Sequence, residues 1–175
     1  DNFDGSMSLL YEGAALAVVV VFLFLRDWRS TLLATVALPL SAIPTFAVMP
    51  LMGFTLNTVT LLALSMVIGV LVDDAIVEVE NIARHQRMGK SPHGAAMEAT
   101  DEIGLAVIAT TFTLIAVFLP TAFMSGVGGK VFVQFGWTAA IAVFFSLVVA
   151  RMLTPMMAAH LLKGATALAA HEPRW

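Results

Sequence analysis

Two consecutive aspartates, Asp73 and Asp74, stand in the run Gly69-Val70-Leu71-Val72-Asp73-Asp74-Ala75-Ile76-Val77, with Glu78, Glu80 and Asn81 close behind. Asp73 lies 16 residues beyond Asn57, roughly 24 Å along a helix, which places the pair past the middle of an apolar segment but still inside it. An aspartate near the centre of a membrane helix costs about 2.5 to 3.5 kcal/mol on insertion scales, so such residues face a protein interior or a wet cavity. Two carboxylates in one poorly solvated place cannot both ionise cheaply, and they titrate as a coupled unit. The chemistry this allows is proton carriage, in which the affinity for H⁺ depends on how the surrounding helices are arranged. Two other readings use the same residues. The aspartates could form a permanent polar cluster that holds helices together, or act as an intramembrane aspartyl hydrolase that shares a proton and activates water. A hydrolase dyad needs its carboxyls to meet one water from separate backbone positions, whereas neighbours on a helix point about 100° apart.

Three further charges accompany the pair. Glu78, one turn beyond Asp74, and Glu80 approach a basic segment, and are read as interfacial partners of Arg84 or Arg87 or as the cytoplasmic mouth of a proton path. Arg151 interrupts the apolar run Val148-Val149-Ala150-Arg151-Met152-Leu153-Thr154-Pro155. Its long stem would let it snorkel to the surface. The alternative is a charge pair with the aspartate helix, Glu78 being the first candidate and Asp74 the second, because an unpaired guanidinium in lipid is expensive.

The elements that position these groups follow from composition. The chain has 175 residues, 59% of them hydrophobic and only 12% charged, with a mean hydropathy of +0.92, which places it in lipid rather than among soluble domains. A helix needs roughly 20 apolar residues to cross the hydrocarbon core with its backbone satisfied. About five stretches qualify, near 9–26, 31–54, 56–80, 103–124 and 131–162, so the expected fold is all-α, a polytopic integral membrane helical bundle over 9–163. Arg26 and Arg29 follow the first stretch, Arg84, Arg87 and Lys90 the third, and Lys163 and Arg174 the fifth, while the other side carries only Lys130. The positive-inside rule then makes the connection 82–102 and the tail 164–175 cytoplasmic, and the tail 1–8 periplasmic. Trp28 and Trp137 are read as interfacial anchors or as packed aromatics. Ser91-Pro92 has the chemistry of a helix start, and predicts a short interfacial helix over 93–101. Pro39, Pro44, Pro50, Pro120 and Pro155 predict kinks.

Several function classes are excluded. The formal charge of −3 and the lack of a basic stripe leave no nucleic-acid surface, and the absence of cysteine removes disulfides, thiol nucleophiles and thiolate metal sites. His85 and His93 lack acidic or cysteine partners at ligand spacing and are read as solvated, so neither a metal nor an organic cofactor is expected. Ser125-Gly126-Val127-Gly128-Gly129-Lys130 has no strand before it and no Ser or Thr after its lysine, and reads as an external turn rather than a phosphate loop. No catalytic residues are assigned. The acidic, polar start of the chain lacks the positive n-region of a secretory signal peptide, which predicts that it begins within a longer polypeptide.

The double-aspartate run, together with Phe22-Leu23-Phe24-Leu25-Arg26-Asp27-Trp28-Arg29, the turn Gly53-Phe54-Thr55-Leu56-Asn57, and Leu153-Thr154-Pro155, resembles the resistance-nodulation-division (RND) superfamily of transporters over nearly the whole chain. The resemblance is to the amino-terminal half of the membrane domain, spans two to six of a twelve-helix protomer, in the drug and amphiphile exporter branch. It implies that Asp73 and Asp74 are proton-relay carboxylates engaging a lysine of the other half, with protons as the coupling ion. It further implies a homotrimer in the bacterial inner membrane, working with a periplasmic adaptor and an outer-membrane channel. A non-exporting relative, acting in protein export or lipid handling, is the alternative within the same resemblance.

Overall fold

The computed structural model describes residues 2–126 and 128–162, with side chains from residue 4 onward. Lys163, Arg174 and the expected tail over 164–175 lie outside the described residues. Helices α1 (Asn2–Leu25), α2 (Trp28–Val48), α3 (Thr58–Arg87), α4 (Pro92–Phe118), α5 (Gly129–Val148) and α6 (Thr154–Leu161) follow one another, with no strand among the described residues. A 3₁₀ segment, Met49–Met52, ends α2, and another, Leu119–Phe123, ends α4. A π-helical turn, Val149–Leu153, joins α5 to α6 in one continuous rod. Five helical rods are therefore long and apolar enough to cross a membrane, and the fold is a polytopic membrane helical bundle.

The helix starts are written in local chemistry. Asn57 caps α3 by accepting from the backbone N–H groups of Val59 and Thr60, while the Thr60 hydroxyl accepts from the Asn57 N–H, a reciprocal capping box. The Asn57 amide also donates to Gln134 Oε1 at 2.5 Å, which ties the start of α3 to α5. Ser91 caps α4 through Gly94 N–H at 3.2 Å, with Pro92 in the first helical turn where its missing N–H costs nothing. The connection expected over 82–102 is accordingly mostly helix: α3 runs on to Arg87 and α4 begins at Pro92. The expected short helix over 93–101 is the first part of α4, and residues expected in the tail 1–8 already belong to α1 from Asn2. Hydropathy marks where lipid contact ends, and a helix stabilised by its own backbone bonds continues past that point.

Helix α3 is the hub, packed against α1, α2, α4, α5 and α6. One buried cluster joins Leu64, Val67, Leu71 and Ala75 of α3 to Ala34 and Ala37 of α2 and to Ala139 and Ala142 of α5. A second joins Val79 and Ile82 of α3 to Leu33, to Ala95, Ala96 and Ala99 of α4, and to Ala158 and Ala159 of α6. Alanine dominates these seams because lipid offers no hydrophobic contrast, so helices gain by close backbone approach over small side chains. Gly136 allows the same close approach, since a Cβ there would lie 2.8 Å from Ala122 N and 3.0 Å from Phe118 O. Trp137 meets Phe123 edge-on, with ring centroids 6.5 Å apart, whereas Trp28 is exposed at the start of α2.

Between α1 and α2 the chain turns at Arg26, whose φ of 50° is left-handed, and Asp27 then caps α2. Partial burial opposes ionisation of Asp27, but the Ser30 hydroxyl at 2.6 Å and the Ser30 N–H at 3.0 Å both donate to its carboxylate. With smaller help from Arg29, these bonds hold its carboxyl below the usual value. A group shifted in this direction stabilises the fold above its unfolded pKa and loses that contribution as pH falls through its folded pKa. Asp27→Ala should therefore cost about 1 kcal/mol at neutral pH. The deficit should narrow below about pH 4, as measured by denaturant unfolding in detergent across pH.

Candidate functional site

Helix α3 sorts its polar residues by face. From Met66, exposed residues recur at Gly69, Asp73, Val77, Glu80 and Arg84, three or four apart, so they form one stripe along the rod. Asp74, about 100° around from Asp73, turns inward and is only 8% exposed. The Ser146 hydroxyl of α5 donates to Asp74 Oδ2 at 3.0 Å and also lies 3.2 Å from the Leu71 carbonyl, so its one proton serves either acceptor. Asp73 engages no side chain by hydrogen bond or ion pair among the described residues. The adjacent aspartates thus occupy different environments, one enclosed against α5 and the other on the stripe that the bundle leaves open. They do not converge on one water position, which is the geometry a hydrolytic dyad would require.

One turn beyond Asp74, Glu78 is 0% exposed. The Thr100 hydroxyl of α4 donates to its Oε1 at 2.5 Å, and its Oε2 is buried without a hydrogen-bond partner. This differs from the interfacial position beside Arg84 or Arg87 that spacing alone suggests. Arg84 instead bonds Asn81 Oδ1, at 3.0 Å from Nε and 2.8 Å from Nη2, and pairs with Glu102 of α4. His85, expected to be solvated, is buried with Nε2 2.7 Å from Glu102, and Lys90 pairs with Glu98. The basic corner between α3 and α4 is therefore neutralised by acids of α4. Glu80 remains on the outer stripe and lines a cavity of about 420 Å³ with Arg26, Asp27 and Arg87.

Arg151 sits in the π-turn. Pro155 has no N–H to bond the Arg151 carbonyl, and the Thr154 N–H reaches back to Val149 O, five residues earlier, which is the wider π register. The turn aims the guanidinium at α4, where Nη1 donates to the Thr100 carbonyl at 2.5 Å. Gly104 supplies the space: a Cβ there would meet Nη1 at 2.7 Å and Cζ at 2.8 Å. Arg151 and Glu78 make no ion pair within 4.0 Å; Thr100 stands between them, offering its hydroxyl to the acid and its carbonyl to the base. Of the residues singled out by sequence, the structure sets Asp74 and Glu78 on the buried face of α3, with Arg151 half-buried across Thr100 from Glu78, and leaves Asp73 and Glu80 on the exposed stripe.

Ser146, Thr100 and Gly104 carry no signal of their own in the sequence, since small and hydroxyl residues are common at membrane helix seams. Their meaning comes from what they touch. Ser146→Ala leaves a buried carboxyl without its donor, which costs about 1 to 3 kcal/mol. Thermal unfolding in detergent should show that loss, and Ser146→Thr should recover most of it.

Residues 6–172 match the AcrB/AcrD/AcrF family model. The chain is 48% identical over 165 residues to the multidrug resistance protein MdtC of Pantoea ananatis, covering 94% of this chain and 16% of that protein. It is 49% identical over 154 residues to MdtC of Salmonella schwarzengrund, covering 88% of this chain and 15% of that protein. The MdtC of Yersinia enterocolitica is 48% identical over the same length, with the same shares. The chain spans about one-sixth of the length of these relatives. On this match, carried across the double-aspartate helix and the bundle around it, the chain belongs to the AcrB/AcrD/AcrF family of RND transporters.

Proposed function

We propose that this segment is the proton-coupling part of a proton-motive-force-driven efflux transporter, a drug/proton antiporter of the bacterial inner membrane. The observation that carries the reading is the split aspartate pair: Asp74 is enclosed with Ser146, while Asp73 stands on the open stripe of the same helix. An enclosed carboxyl gains and loses H⁺ only when neighbouring helices admit water or a partner charge, so its proton state is tied to conformation. The open stripe supplies where such a partner would arrive. Asp73 there addresses the remaining half of the same protomer, through a basic residue that neutralises it when it is ionised. Loss or gain of the proton changes that attraction and moves the two halves relative to each other.

In this reading the basic ends of α1 and α3 lie in the cytoplasm, and the 3₁₀ segments that end α2 and α4 face the periplasm. The full protomer assembles as a homotrimer with a periplasmic adaptor and an outer-membrane channel, as the family likeness suggests. The cargo is amphiphilic, in keeping with the drug-exporter branch and the multidrug names of the relatives. Protons are the coupling ion, and the segment transports rather than catalyses.

Asp73→Asn and Asp74→Asn in the full-length protein should each abolish export of an amphiphilic fluorescent dye while leaving membrane insertion and assembly intact. Wild-type dye export by both variants would overturn the reading.

A further inference from the structure

Glu78 is the most deeply buried ionisable side chain among the described residues, yet the aspartate mechanism makes no use of it. Its Oε2 faces no donor. Thr100, which donates to Glu78, and Arg151, which donates to the Thr100 carbonyl, line a cavity of about 330 Å³ between α4 and α6, together with His93, Asp101 and His160. The order in outline is Asp74, then Glu78 one turn on along the same buried face of α3, then the Thr100 and Arg151 wall, then an open cavity of mixed lining at the end of the bundle assigned to the cytoplasm.

We propose that Glu78, Thr100 and Arg151 form a second proton-handling site on the inner side of Asp74, through which H⁺ passes between Asp74 and the cavity. The proposal rests on the proton-driven reading of the aspartate pair. A proton arriving from Asp74 or from cavity water bonds to Glu78 Oε2, converting carboxylate to carboxylic acid; on release the O–H breaks and the proton leaves on the opposite side. Arg151 keeps its charge throughout, as a guanidinium does. With Glu78 ionised, the two charges offset each other across Thr100. With Glu78 protonated, Arg151 is held by the Thr100 carbonyl and by Asp101 at the cavity wall. Gly104 lets the guanidinium pack directly against α4, and the π-turn that carries Arg151 packs against α3, the helix of Glu78.

The surroundings are consistent with Arg151 as the charge that governs Glu78. From α4 come the Thr100 hydroxyl, with Asp101 and His93 across the cavity; from the π-turn, Arg151; from α6, His160, whose Nδ1 already faces the Met156 carbonyl at 2.8 Å. From α5 comes Ser146, at Asp74. Helix α2 has no charge beyond Arg29, α1 carries Asp4 and Glu12 in its first half, and the turn after α1 brings Arg26 to the cavity that Glu80 lines. On α3 itself, Asp74 is the neighbouring carboxyl on the buried face, while Glu80 and Arg84 stand on the exposed stripe.

The test uses the full-length protein and compares Asp74→Asn, Glu78→Gln, Glu78→Asp, Arg151→Met and the double variant E78Q/R151M, reading thermal stability and dye export as a function of pH. Glu78→Gln should lose most of its export, and Glu78→Asp should retain export with a displaced pH profile. The double variant removes both buried charges, so it should regain wild-type stability without regaining export. Recovery of export with a wild-type pH profile in the double variant would show a purely structural charge pair and overturn the proposal. Wild-type export and pH profile in Glu78→Gln would also overturn it, with the aspartate reading intact provided Asp74→Asn is inactive. Wild-type export by Asp74→Asn would instead remove the reading on which the proposal stands.

Discussion

A carboxyl group in the hydrocarbon of a membrane must be met by protein, because nothing else there can solvate it. That requirement shapes this bundle. Helix α3 carries Asp73, Asp74, Glu78 and Glu80, and it is the helix that every other rod packs against. Alanine-rich seams bring α2, α4, α5 and α6 close enough for short hydroxyl side chains to reach the acids. Ser146 reaches Asp74 and Thr100 reaches Glu78. A bulkier seam would hold those donors away and leave the charges unmet.

The enclosure is deliberately incomplete in geometry, with one stripe of α3 open from Met66 to Arg84. Because adjacent side chains on a helix diverge by about 100°, placing two aspartates in sequence gives one to the inside and one to the open face without any change of backbone. A pair spaced four apart would have put both on one face. Sequential placement therefore suits a device in which one carboxyl is held by its own bundle and its neighbour answers to another. The same helix repeats the pattern further on, where Glu78 is enclosed and Glu80 lies on the open stripe.

Much of this was legible in the chain. The five apolar runs, the helix that carries the aspartates and the Ser91-Pro92 start of α4 all rest on local rules of length, charge and capping, and the structure has each of these helices. The partners were less legible, for a physical reason. Glu78 with Thr100 spans 22 residues, Ser146 with Asp74 spans 72, and Arg151 with Thr100 spans 51, so each contact depends on how rods pack rather than on spacing along one rod. Charge proximity in sequence pointed Glu78 toward Arg84, but Glu102 of α4 takes that arginine and buries His85 beside it. Gly104 and Pro155 were the available hints to Arg151, one leaving room and the other breaking the α register, yet neither names the residue it serves.

The central claim is that the Asp74 proton answers to helix arrangement. Infrared difference spectroscopy of the full-length protein in lipid, titrated over pH and compared with Asp74→Asn, reads that proton directly through the carboxylic-acid stretch. The account predicts a band absent from the variant whose titration midpoint moves when the protein is trapped by cross-links in different conformations. A band with one midpoint in every trapped conformation, equal to that of a carboxyl in water, would contradict it.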